Sequence, residues 1–209
     1  MPKGSEALTN ARREEIINAC EKLYETMSFK EVTIKEIGQA TTFTRTSIYN
    51  YFQTKEEIFL ALIEREFTRW NQKLEEVLTQ APTFSRETLA EVLADTLAER
   101  MLMLKILSMN MFDIEAHSRL ECLIDFKRAF ARSFALVDAL LQKGEPALND
   151  SARQAFIYAF FPFMYGIYPY TQTTEKQRVA VQTIGFEFTY YTPREMILQT
   201  VRKLLAVCP

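Results

Sequence analysis

From Thr44 to Lys55 the chain reads Thr-Arg-Thr-Ser-Ile-Tyr-Asn-Tyr-Phe-Gln-Thr-Lys, so hydroxyl, guanidinium and amide groups recur within a few residues of one another. Such groups hydrogen-bond to base edges in a duplex groove, while tyrosine hydroxyls and a lysine at a helix start suit phosphate oxygens. On that chemistry Arg45, Thr46 and Ser47 are expected on base edges, Thr44, Tyr49, Tyr51 and Lys55 on phosphates, and Asn50 on either. Thr33, at the start of the preceding helical pattern, is a further phosphate candidate. The run is only mildly basic. Between residues 33 and 55 the cations Lys35, Arg45 and Lys55 stand against Glu36, and the whole chain has a formal net charge of −2. Non-specific affinity for double-stranded DNA should therefore be weak and salt-sensitive.

Other chemistries find less support. Asp113, Glu115 and His117 alternate, and on a helix the positions i, i+2 and i+4 do not converge on one ion, so solvated charges in a helix-capping loop are expected there. His117 is the single histidine and there are five glycines. No nucleophile has an evident histidine partner, and no glycine-rich loop is available for a phosphate, so neither an enzyme nor a cofactor is expected. Cys20, Cys122 and Cys208 are widely spaced and form no C-x-x-C pair. They read as reduced thiols of a cytoplasmic protein, with no signal-peptide pattern and no apolar run of the ~18–20 residues that would span a membrane.

The elements that must position the polar run can be followed by their caps. Thr33 with Glu36 has the spacing of a capping box, starting a helix at Ile34 whose apolar side is Ile34, Ile37 and Ala40. Thr41-Thr42-Phe43 interrupts it, with Phe43 as the plug between two helices. Thr44 then caps a second helix that turns Ile48 and Phe52 inward. Thr54 with Glu57 is another box, opening a helix at Lys55. Two short helices cannot stand alone. A preceding helix, capped by Asn10 after an arm over 1–8, supplies the packing stripe Ile16, Ile17, Cys20, Leu23, Tyr24 and Met27. From Lys55 the apolar pattern continues to about Gln80, a rod of some 37 Å.

Ile37 to Ile58 resembles the signature of the TetR-type transcriptional repressors. In that family a Tyr-x-Tyr/His-Phe-x-x-Lys-x-x-Leu/Ile run joins the recognition helix to the first helix of the ligand domain, and Tyr49, Tyr51, Phe52, Lys55 and Ile58 fall on it. Two positions depart from the pattern: Thr42 stands where the turn usually has glycine, and Thr46 where the recognition helix often has glycine. Threonine is strained at positive φ, so a differently built turn is expected. The resemblance implies a helix-turn-helix head over 1–54 and a helical effector-binding and dimerisation domain over 55–209. The competing reading is a helical interaction protein whose head binds another protein.

The rest of the chain reads as helical throughout, without period-2 runs or Asn-Gly hairpins, so the fold class is all-α, with about seven helices behind the head. Pro82 breaks the pattern. Ser85 caps a helix running to Met101, residues 101–114 are apolar on nearly all sides, and Ser118 with Glu121 boxes a helix to about Gly144. Further helices are expected at 150–168, 175–184 (boxed by Thr174 and Gln177) and 193–207. Residues 156–168 are apolar all round, with Pro162 removing one amide, so both faces need covering. The resemblance implies a two-fold homodimer through the 150–168 and 193–207 helices. It also implies a small-molecule effector, for which Met103, Met109, Phe112, Phe126, Phe130, Phe134, Tyr158, Phe161 and Tyr165 are the adaptable apolar candidates, together with Met101 and Met111.

Overall fold

Good caps and long apolar stripes favour helix along most of this sequence. The computed structural model describes residues 3–42, 44–80, 83–109 and 111–207, which hold eleven helices and no strand. Phe43, Pro82 and Cys208 lie outside the described residues. The chain forms two compact units, Met1–Arg65 with Asn110–Arg128, and Glu66–Met109 with Ala129–Pro209. Two long helices contribute residues to both units.

The first unit holds α1 (Lys3–Thr26), α2 (Ile34–Gln39), α3 (Arg45–Ile48), the start of α4 (Lys55–Gln80), α7 (Met111–Ala116) and the start of α8 (Leu120–Gly144). Helix α1 begins at Lys3 and not at Asn10, because Glu6, Ala7 and Leu8 are good helix formers. Its Ile16, Ile17, Cys20 and Tyr24 are buried, and so are Ile37, Ile48, Phe52, Ile58 and Phe59 of the same unit. Tyr24 and Phe29 meet the Phe59 ring edge-on at 5.0 and 4.8 Å, an arrangement that aromatic quadrupoles favour. Arg65 ties α4 to α1 by donating to Glu14 (3.0 Å), Asn18 (2.6 Å) and Glu21 (2.6 Å). Cys20 is wholly enclosed, and burial pushes its thiol up to about 12.

Three caps differ from the sequence reading. Thr33 accepts the Glu36 amide at 3.4 Å, but no Glu36 carboxylate bond back to Thr33 is formed and Glu36 Oε2 is buried without a partner, so the box is half made. Thr54 accepts the Glu57 amide, yet the Glu57 carboxylate is drawn to Gln53 N–H and to Arg119. Ser118 donates its hydroxyl to the Ile114 carbonyl, finishing α7 and leaving α8 to start at Leu120.

The second unit packs the remainder of α4 and α8 with α5 (Arg86–Ala98), α6 (Met101–Leu107), α9 (Asp150–Thr171), α10 (Glu175–Thr183) and α11 (Pro193–Val207). Ser85 caps α5 as its position requires. The chain leaves helical geometry at Arg100 (φ −102°, ψ 46°), so α5 stops at Ala98 and a separate α6 buries Met103, Leu104, Ile106 and Leu107. A buried polar pin joins α4 to α8: Asn71 donates to the Ala129 carbonyl (2.9 Å) and Ser133 donates to Asn71 Oδ1 (2.7 Å). Helix α11 buries Ile197, Val201 and Leu205 against α5 and α9, and Arg194 and Arg202 pair with Asp95 and Glu87 on α5. Gly144 ends α8 where a Cβ would stand 2.7 Å from the Phe84 ring. Helix α10 has the expected Thr174–Gln177 box but buries no residue.

Candidate nucleic-acid interface

The polar run rides on two buried anchors, Ile48 and Phe52, that fix which side of α3 points outward. Thr44 caps the helix by accepting the Ser47 amide at 3.3 Å, and its hydroxyl lies 3.0 Å from that of Ser47. Regular α-helix lasts only from Arg45 to Ile48 and continues as hydrogen-bonded turns, Asn50 N–H to Ser47 O and Tyr51 N–H to Ile48 O, instead of running helically to Phe52. The result leaves Thr44, Arg45, Thr46 and Asn50 exposed, Tyr49 44% exposed and Ser47 half-buried. Arg45 donates to the Tyr49 hydroxyl one turn on, at 3.4 Å, which holds two outward groups side by side.

The turn before α3 is built as the departure at Thr42 requires. Among the described residues none but a glycine has positive φ. Instead of a left-handed residue, Thr42 uses its amide and hydroxyl to reach Glu15 Oε1 of α1, at 2.7 and 2.8 Å. Those two bonds hold the Glu15 carboxyl below the usual carboxylate range.

Tyr51 and Lys55 are more internal than the sequence reading has them. The Tyr51 hydroxyl accepts from Arg12 at 3.2 Å, and its carbonyl accepts from Arg13 (3.4 Å) and Arg119 (3.3 Å). Lys55 donates to the carbonyls of Phe29 (2.7 Å) and Val32 (3.4 Å), with its ammonium 4.0 Å from the Phe29 ring centroid. It thus secures the start of α4 to the connection between α1 and α2. Thr33 sits half-buried at the start of α2. Arg12 and Arg13, absent from the sequence-based set, add positive charge beside Tyr51; their adjacency in the sequence was the available signal.

The apolar candidates divide. Phe130, Phe134, Tyr158, Phe161 and Tyr165 come together with Pro162 around an open pocket of about 430 Å³ between α8 and α9. Phe134 and Phe161 stack at 3.9 Å, and Phe130 meets Phe161 edge-on at 5.5 Å. Met103 is core, Met109 is half-buried beyond α6, and neither lines that pocket. Phe112 and Phe126 belong to the first unit, where Phe112 is 81% exposed and Phe126 is buried. Phe112 lies in the same apolar stretch as Met103 and Met109, but that stretch divides into α6 and α7, and Phe112 falls on the second. Of the acidic and histidine trio, His117 places Nδ1 2.7 Å from the Asp113 carbonyl and Glu115 pairs with Lys127, and among the described residues no cluster suits a metal ion. No described helix is long and apolar enough to cross a membrane.

Known proteins match both the N-terminal and the C-terminal parts of the chain. Residues 16–62 match the family described as "Bacterial regulatory proteins, tetR family", and residues 64–192 match "Tetracyclin repressor-like, C-terminal domain". The HTH-type transcriptional repressor Rv1474c of Mycobacterium tuberculosis is 30% identical over 98 residues, 47% of this chain and 47% of that protein, so the match spans about half of that relative. A TetR-family transcriptional regulator of Mesorhizobium loti superposes with a TM-score of 0.63 at 16% identity, covering 95% of this chain and 97% of that one. The regulator FadR of Bacillus subtilis, solved with stearoyl-CoA, superposes with a TM-score of 0.55 at 17% identity, covering 94% and 98%. At such identities the likeness is one of fold.

Proposed function

Since the chain belongs to the TetR family of bacterial transcriptional regulators, we propose that it is a repressor that binds operator DNA as a homodimer and is released by a small apolar or amphipathic molecule. The observation that carries the DNA reading is the exposed row Thr44, Arg45, Thr46, Tyr49 and Asn50 above buried Ile48 and Phe52. In this reading Arg45, Thr46 and Ser47 meet base edges, Thr33, Thr44 and Tyr49 meet phosphates, and Asn50 meets either. Tyr51 and Lys55 offer phosphates what their internal bonds leave over. Two such heads, related by a two-fold axis, read half-sites about 34 Å apart. The second subunit is met by the exposed side of α9, where Ala155, Tyr158, Ala159 and Pro162 lie, and by the nearby part of α11.

The aromatic pocket is the proposed effector site. No lining residue carries a charge, which favours neutral apolar or aromatic molecules over an anion such as the stearoyl-CoA found with the Bacillus subtilis regulator. A ligand releases DNA by preferring a head spacing that does not fit the operator, with no need for strong binding beyond that preference. The test is a gel-shift titration on a duplex enriched by the wild-type protein from random-sequence DNA. Binding should weaken steeply with salt, and Arg45→Ala should cost about 1–3 kcal/mol and relax the base preference at one position. Failure to enrich any duplex at low salt would replace this reading with a protein-binding head.

A further inference from the structure

Arg119 lies in the stretch that matches the C-terminal ligand-domain family, yet it packs within the first unit, against the residues that follow the recognition helix. Its guanidinium donates to both oxygens of Glu57, from Nε at 2.7 Å and from one terminal nitrogen at 2.9 Å, and the same terminal nitrogen donates to the Tyr51 carbonyl at 3.3 Å. Its backbone amide is a further donor to Glu57, at 3.1 Å. Glu57 in turn accepts the Gln53 amide at 2.7 Å, and Thr54 donates its hydroxyl to the His117 carbonyl at 3.1 Å. The connection between α7 and α8 therefore grips Tyr51, Thr54 and Glu57 through five hydrogen bonds, and the central carboxylate is fully buried.

We infer that Arg119 is a positioning residue for DNA recognition, which fixes the exit of the recognition helix through the Tyr51 carbonyl and the buried Glu57 carboxylate. The inference rests on the DNA-binding reading above. Its physical basis is the forked, bidentate geometry that only a guanidinium supplies. Burial alone would drive the Glu57 carboxyl up, but the side-chain bond to Arg119 and the two amide donors outweigh it and leave the group below the ordinary range. The pair is thus ionised at neutral pH, and removing Arg119 leaves a buried carboxylate without its counter-ion. While the pair holds, the Tyr51 carbonyl, three residues beyond α3, stays tied to the same guanidinium. A second consequence is that α8, whose first residue follows Arg119, continues as a single helix to Gly144. Movement at its start reaches residues 51–57 through the Arg119 side chain and amide and through the His117 carbonyl.

The experiment uses the full chain and the duplex enriched by the wild type. Arg119→Gln is expected to lower affinity about tenfold at a temperature where circular dichroism reports it fully folded. The slope of log affinity against log salt should stay unchanged, because Arg119 does not neutralise a phosphate; a directly bound cation would change it by about one. Arg119→Lys keeps the charge without the fork and should fall between the two, which keeps the test open if Arg119→Gln unfolds. The double variant Glu57→Gln/Arg119→Gln should lose less than the sum of the singles. Affinity within about twofold of wild type in a folded Arg119→Gln protein would overturn the inference, and so would a reduced salt slope. Failure of the wild type to enrich any duplex would overturn the DNA-binding reading itself, and the inference with it.

Discussion

At the scale of single residues, the candidate interface works by division of labour between neighbours. Ile48 and Phe52 are buried so that Arg45, Thr46, Tyr49 and Asn50 are not. Thr42 stands where a glycine is usual, and the Glu15 carboxylate replaces the missing backbone freedom with two hydrogen bonds. This has a pH signature. The folded protein holds the Glu15 proton less readily than the unfolded chain does, because the Thr42 amide and hydroxyl favour the carboxylate. Its stabilisation is therefore complete above the ordinary carboxylate range and disappears as pH falls through the lowered value. Melting temperatures measured between pH 7 and about pH 3 should drop less for Glu15→Gln than for the wild type across the acid limb, from a lower starting point at neutral pH. Equal acid sensitivity of the two proteins would mean that the Thr42 turn is held by something else.

At the scale of elements, long amphipathic stripes and caps were readable directly. Helix α4 has the span expected of it, Thr44, Ser85 and Thr174 cap as their spacing requires, and the break at Gly144 is real. What the sequence concealed were the places where a side chain has two suitors. Glu57 has box spacing to Thr54, but an arginine 62 residues away offers a charged fork and wins the carboxylate. Ser118 could cap α8, but the Ile114 carbonyl is nearer in the fold. Residues 101–114 are apolar on nearly all sides, and periodicity says nothing about where such a stretch breaks, so the sequence alone groups Phe112 with aromatics that it never joins. The site was legible as a row of polar groups, whereas the internal bonds of Tyr51 and Lys55 depend on partners that no local spacing reveals. The α4–α8 pin is of the same concealed kind. Ser133→Ala should cost about 1–3 kcal/mol, because it strips the Asn71 carbonyl oxygen of a buried donor, and urea unfolding followed by tryptophan fluorescence would read it through Trp70. A loss indistinguishable from zero would mean that water or a neighbour replaces the hydroxyl.

At the scale of the whole molecule, one chain presents one head, while a two-fold operator needs two. The exposed side of α9 offers small and apolar groups at helical spacing, and Ala159→Arg places a cation among them. Sedimentation should then report a monomer in place of a dimer, and affinity for a two-half-site duplex should collapse while helix content is kept. A dimer that survives this change would locate the subunit contact elsewhere. Cys20 offers a view of the same assembly from inside. Only the thiolate attacks alkylating reagents, and this sulfur is both sealed from solvent and reluctant to ionise. Its alkylation therefore waits on transient breathing of the head, which makes the thiol an internal clock of that breathing.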